Sequence, residues 1–133
     1  MSKSVIKFYV DDGICRASAD PELDGLAAVL RDHYMPCDPK ELIEDIKIVV
    51  KKGVEWETSY NSSFLKYDGL GNIKMLDCYT DSPYCVVSFI TLQEVCSHWA
   101  DWINKCHAKQ ENNVVYIEPT QFENTPRDMF FDE

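Results

Sequence analysis

The chain has 133 residues, 45% of them hydrophobic and 12% aromatic, which suits one folded domain with a self-supporting core and excludes a disordered chain. Its 23 acidic side chains against 13 basic ones leave a formal charge of −10. That balance excludes a protein that grips nucleic-acid phosphates through clustered cations, and it opposes docking on an anionic membrane surface.

No apolar run reaches the roughly 18 residues of a spanning helix. The opening Met1-Ser2-Lys3-Ser4-Val5-Ile6-Lys7 holds no signal-peptide core, so the expected location is the cytoplasm. Val5 to Val10, β-branched and aromatic, predicts a strand that stops at Asp11-Asp12-Gly13. Residues 14–19 read as a short second strand or a loop. Asp20-Pro21-Glu22 opens a helix, with Asp20 as cap, Pro21 at the first helical position and Glu22 at the positive end. Leu23, Leu26, Ala27 and Leu30 form its apolar stripe, Tyr34 continues it and Pro36 ends it. Asp38-Pro39-Lys40-Glu41 repeats the opening signal, Leu42, Ile43, Ile46, Val49 and Val50 repeat the spacing, and Lys51-Lys52-Gly53 supplies the stop.

The period then changes. Val54 to Thr58 alternates and reads as a strand or as a prolonged helix. Phe64 to Tyr67 and Ile73 to Tyr79 flank Asp68-Gly69-Leu70-Gly71-Asn72, a hairpin with a five-residue loop. Asp81-Ser82-Pro83 turns the chain into Tyr84 to Ile90, the most apolar strand and thus a central one. Thr91-Leu92-Gln93-Glu94 has the form of a capping box. The helix it opens carries Leu92, Val95, Cys96, Trp99, Trp102, Ile103 and Cys106 on one stripe. Val114 to Ile117 is a last strand, and residues 120–133 lack a period. The order β-α-α-(β)-β-β-β-α-β predicts an α+β fold, a mainly antiparallel sheet with helices on one face. It divides into a domain over 1–119 and an acidic, aromatic-containing segment over 120–133.

The six cysteines, Cys15, Cys37, Cys78, Cys85, Cys96 and Cys106, include no C-x-x-C pair. Reduced thiols acting as small hydrophobes are the expected state. Cys78 and Cys85 flank a turn and could face each other across two strands. A zinc set of Cys78, Cys85, Cys106 and His107 is the metal alternative. Among the histidines, His33 and His107 fall at predicted helix ends, where a cation complements the dipole, and His98 borders the apolar stripe. No nucleophile elbow, Walker loop, zincin or dinucleotide-binding motif is present. Catalysis therefore rests on an isolated thiol or on His98, and binding is the leading class. No cofactor is implied.

Residues 1–66 carry a net charge of −3 and residues 67–133 carry −7, the latter with only four cations. The acids that stand out for contact with a basic protein are Asp68, Asp77 and Asp81 around the hairpin, then Glu118, Glu123 and Asp128 before the C-terminus. Met129-Phe130-Phe131 either docks on the domain or awaits a partner. A solvated acidic surface kept for solubility is the plain reading. An acidic, aromatic-studded surface that steers toward a basic protein is the functional one. A third reading is an adaptor or nucleic-acid mimic, which would need regularly spaced charge.

The loop Asp68-Gly69-Leu70-Gly71-Asn72-Ile73, the following acidic strand with Asp77 and Asp81, and the Trp99/Trp102 helix together resemble bacterial immunity proteins, including those of contact-dependent growth-inhibition systems. The resemblance spans residues 64–106. It implies a protein that binds and blocks a cognate toxin, often a basic nuclease. It carries no binding residues across, so the six acids rest on charge alone.

Overall fold

The computed structural model describes residues 4–11, 14–33, 38–105, 113–117 and 121–125. In chain order these form β1 (Ser4–Asp11), β2 (Ile14–Ala19), a 3₁₀ turn (Pro21–Leu23), α1 (Asp24–Asp32) and α2 (Pro39–Lys52). β3 (Trp56–Ser59), β4 (Ser63–Tyr67), β5 (Asn72–Asp77), β6 (Tyr84–Ser88), α3 (Phe89–Lys105), β7 (Asn113–Ile117) and β8 (Phe122–Thr125) follow. The fold is α+β with antiparallel strands, but the strands divide into two sheets, β2-β1-β7 and β3-β4-β5-β6-β8. The open segments 14–19 and 54–58 both contribute strands. Phe122–Thr125, expected in an aperiodic tail, pairs with β6 as an edge strand of the larger sheet.

Two helix starts differ from expectation. Asp20 caps no helix with its side chain; its Oδ2 instead accepts the Val5 backbone N–H at 2.9 Å, and α1 begins only after the 3₁₀ turn. α3 starts two residues before Thr91, because Ser88 Oγ accepts the Thr91 N–H at 3.1 Å and so caps the helix from the end of β6. α2 keeps to its local signals. Asp38 accepts from Lys40 N at 2.7 Å, and Gly53 closes the helix at φ 66° with its N–H on the Val49 and Val50 carbonyls.

α1 touches both sheets, meeting β4, β5 and β6 of the larger and β2 of the smaller. Its approach to β5 is set by Gly25. A Cβ there would fall within the Met75 carbonyl, at 2.7 Å from its carbon and 3.2 Å from Leu76 N. Polar ties hold the same helix in place. Asp24 accepts from the Ser82 hydroxyl, Arg31 pairs with Asp77 at 3.1 Å, and Asp32 accepts from Ser62 N, Ser62 Oγ and Ser63 Oγ at 2.6–3.1 Å.

One core runs through both sheets and all three helices. At its centre the Trp99 ring meets Phe8 of β1 edge-on, with centroids 5.1 Å apart, and Trp102 lies 6.4 Å from the same ring. Both indoles are buried, as their shared stripe predicts. They differ in their N–H groups. Trp99 Nε1 donates to the His33 carbonyl at 3.0 Å, whereas Trp102 Nε1 is buried without an acceptor among the described residues.

That difference is measurable. Trp99→Phe and Trp102→Phe lose the same ring volume, but only the first strands a buried carbonyl. Denaturant titration should therefore find Trp99→Phe the more destabilising by about 1–3 kcal/mol. Equal losses would contradict the hydrogen bond to His33.

Candidate functional site

The structure does not gather the six acids expected to contact a partner. Asp77 must be removed from that set. It is 3% exposed on the α1 side of β5, where its carboxylate takes Arg31 and the Tyr79 N–H at 2.9 Å. Asp68 is half-buried and organises the hairpin loop: Oδ1 accepts from Leu70 N at 2.7 Å and Asn72 N at 3.0 Å, and Oδ2 from the Asn72 side-chain amide at 3.2 Å. Asp81 is exposed, but it follows the opposite end of β5, roughly 20 Å away along a six-residue strand. Glu123 is exposed on β8 opposite Val86. Glu118 and Asp128 lie outside the described residues.

What the fold does align is a row across the outer face of the larger sheet, the face turned away from α1. Strand register places Glu57 opposite Lys66, Lys66 opposite Lys74, Lys74 opposite Val86 and Val86 opposite Glu123. Lys66 is 9% exposed and its ammonium stands 4.0 Å from Glu57. Between Glu55, Trp56, Lys66, Asp68 and Lys74 the face is hollowed into an open groove of about 540 Å³. So the middle of the hairpin carries paired lysines where net charge led us to expect acid. The signal was in the sequence: a five-residue loop over 68–72 puts Lys66 and Lys74 opposite each other, and strand alternation puts both on one face.

The loop tip itself is rigidly built. Gly69 and Gly71 adopt φ of 81° and 98°, which suits residues without a Cβ. Tyr67 Oη accepts the Gly71 N–H at 3.0 Å, and the Gly71 carbonyl accepts the Phe89 N–H at 2.9 Å. This framework presents Leu70 at 85% exposure.

The thiols and histidines follow burial. Met75, not Cys78, lies opposite Cys85, so the imagined Cys78–Cys85 pairing across strands does not occur, and Cys78, Cys85 and Cys96 all keep their thiols. Burial pushes Cys85 up to about 12, with the Glu22 carboxylate adding to it, and burial alone pushes Cys96 to about 12. Both are protonated at neutral pH and make poor nucleophiles. Cys15 is disulfide-bonded to a partner outside the described residues, which corrects the expectation of six reduced thiols. Cys106 and His107 of the zinc alternative also lie outside them. No group of three or more potential metal-binding side chains occurs among the described residues.

His33 is buried rather than a solvated helix-end cation. Its Nδ1 lies 2.7 Å from the Val29 carbonyl and its ring meets Tyr60 edge-on. Burial lowers its pKa, outweighing the opposite pull of the Val29 carbonyl, Asp32 and Asp45. His98 is exposed on α3. No helix among the described residues is long and apolar enough to cross a membrane. Comparison with protein-family models, curated proteins and solved structures yields no match to this chain.

The cysteine assignment has a direct check. Thiol titration in denaturant without reductant should report four reactive groups, Cys15 and its disulfide partner being withdrawn from the six. Six reactive groups would return Cys15 to a thiol.

Proposed function

We propose that the protein binds and neutralises a basic protein partner, as an immunity protein does for its cognate toxin, with a nuclease as the favoured class of toxin. The observation that supports this reading is the division of the carboxylates. Asp20, Asp24, Asp32, Asp68 and Asp77 are spent inside the fold on backbone amides, serines and an arginine. Glu55, Asp81, Glu94, Asp101 and Glu123 are exposed, and their carboxylates make no hydrogen bond or ion pair among the described residues. Acid whose carboxylate is tied to no other described residue is available for steering a cation-rich surface, at long range and without fixed geometry. Exposed Leu70 on its braced loop supplies an apolar anchor of the kind that slows dissociation. The reading places the protein in the cytoplasm; the Cys15 disulfide is the feature that a reducing compartment opposes.

The test is a kinetic series against the basic protein encoded beside this chain in its genome. The association rate should fall steeply as salt passes physiological strength, where the Debye length is about 8 Å. Asp81→Lys and Glu123→Lys should each lower it by about 2- to 10-fold with little change in dissociation. Leu70→Ala should instead raise the dissociation rate. Binding indifferent to salt and to both reversals would reduce the acidic surface to a solubility feature.

A further inference from the structure

Strand order leaves β3 at an edge of the larger sheet, and the register shows which of its backbone groups are open. The Tyr60 N–H donates to the Ser63 carbonyl at 2.8 Å, which makes these two a hydrogen-bonded pair at the end of the β3–β4 hairpin. Bonded and non-bonded pairs alternate along antiparallel strands. Thr58 therefore bonds with Leu65 and Trp56 with Tyr67, whereas Ser59–Phe64 and Glu57–Lys66 are non-bonded pairs. The other side of β4 gives the same phase. The Asp68 N–H donates to the Asn72 carbonyl at 3.1 Å, so the backbone groups of Lys66 and Phe64 are directed at β5. The N–H and C=O groups of Glu57 and Ser59 thus point away from the sheet. Among the described residues, β3 makes no hydrogen bond or ion pair beyond its ladder to β4 and the Glu57–Lys66 contact. The edge of the smaller sheet at β2 differs, since Arg31 already takes its Ala17 carbonyl at 3.3 Å.

We propose that this edge receives an extended, basic segment of the partner as an added strand, an inference that rests on the neutralising function and names its contact. The open groups of Glu57 and Ser59 supply the ladder, and the side chains specify the segment. On the outer face the Glu57 side chain is 74% exposed and Glu55 before it is also exposed, so an incoming Lys or Arg gains a cross-strand ion pair. On the inner face Trp56 and Thr58 are half-buried, and Trp56 packs against the core. Residues that flank the incoming cation are therefore apolar. The matching segment alternates cation and apolar side chain along the four residues of β3.

Edge strands are commonly guarded by charge against unwanted pairing, and here the guard is selective. A second copy of this chain brings the same two glutamates and a net charge of −10, so it is repelled. A strand that carries lysine or arginine is drawn in.

The experiment is amide hydrogen exchange by NMR on the full chain, free and bound to the basic protein encoded beside it in its genome. In the free protein Glu57 and Ser59 should exchange fast, and Thr58, bonded to Leu65, more slowly. Binding should slow Glu57 and Ser59 by about 10-fold or more. Ser59→Pro removes one outward N–H at a position where an edge strand tolerates proline. It should raise the dissociation rate about 3- to 10-fold and leave the salt dependence of association as it was. Glu57→Gln should raise dissociation about 2- to 5-fold. Salt-dependent binding with Glu57 and Ser59 still exchanging fast would overturn the added strand and leave the neutralising function standing. A neighbouring basic protein that does not bind would overturn both. Slowing of the same two amides with rising protein concentration, in the absence of partner, would make the occupant a second copy and overturn the choice of a basic one. Should Ser59→Pro fail to fold, exchange in the wild-type complex decides.

Discussion

The close approach of α1 to β5 sets the geometry of the larger sheet and its two faces. With no side chain at Gly25, the helix backbone settles against the Met75 carbonyl, closer than any Cβ would permit. From there, Asp24 reaches the β5–β6 turn at Ser82, Arg31 reaches Asp77 at the end of β5, and Asp32 reaches Ser62 and Ser63 at the start of β4. The same helix also meets β2, where Arg31 donates to the Ala17 carbonyl at 3.3 Å, so its position also governs how the two sheets stand about the shared core. Two of the partners in these ties, Asp77 and Ser63, are buried. Asp77 without Arg31, for example, would be a carboxylate at 3% exposure that has lost its arginine, a costlier state than a broken surface pair.

This arrangement changes what the charge of −10 means. Part of it is structural and invisible from outside: the acids around α1 and the loop-forming Asp68 cannot be counted as interface without dismantling what they hold. Another part, at Glu55, Asp81, Glu94, Asp101 and Glu123, is exposed. The outer sheet face is neither, with Lys66 and Lys74 paired at its middle and acids at both ends of the row. A partner therefore meets a patterned surface, and an adaptor or nucleic-acid mimic with regularly spaced carboxylates is poorly matched by it.

Sequence alone made α2 legible down to its caps, because Asp38, Pro39 and Gly53 act on residues within four positions of themselves. The buried Trp99/Trp102 stripe was legible for the same reason. Misreadings arose where a distant group competed for a local one. Asp20 looked like a helix cap until Val5 of β1 claimed its carboxylate, and Asp77 looked like surface acid because its partner Arg31 is 46 residues earlier. The Ser88 cap was overlooked because the apolar run continues through Phe89 and Ile90. The pairing of β6 ends at Ser88 opposite Asn72, and the next amide, Phe89 N–H, goes to the Gly71 carbonyl, so the helix can begin there. The lysine pair was accessible and missed, since net charge by halves of the chain discards the facing of individual strands.

The most direct measurement of the helix–sheet constraint is the stability of Gly25→Ala by denaturant titration. In an unconstrained helix interior this change stabilises by roughly 0.5–1 kcal/mol. Here the added methyl must displace α1 from the Met75 carbonyl, and with it the Asp24, Arg31 and Asp32 ties. The expected result is a loss of stability of about 1–3 kcal/mol or more, as for other overpacked interiors. A Gly25→Ala protein as stable as the parent, or more stable, would contradict the claim that the fold depends on this approach.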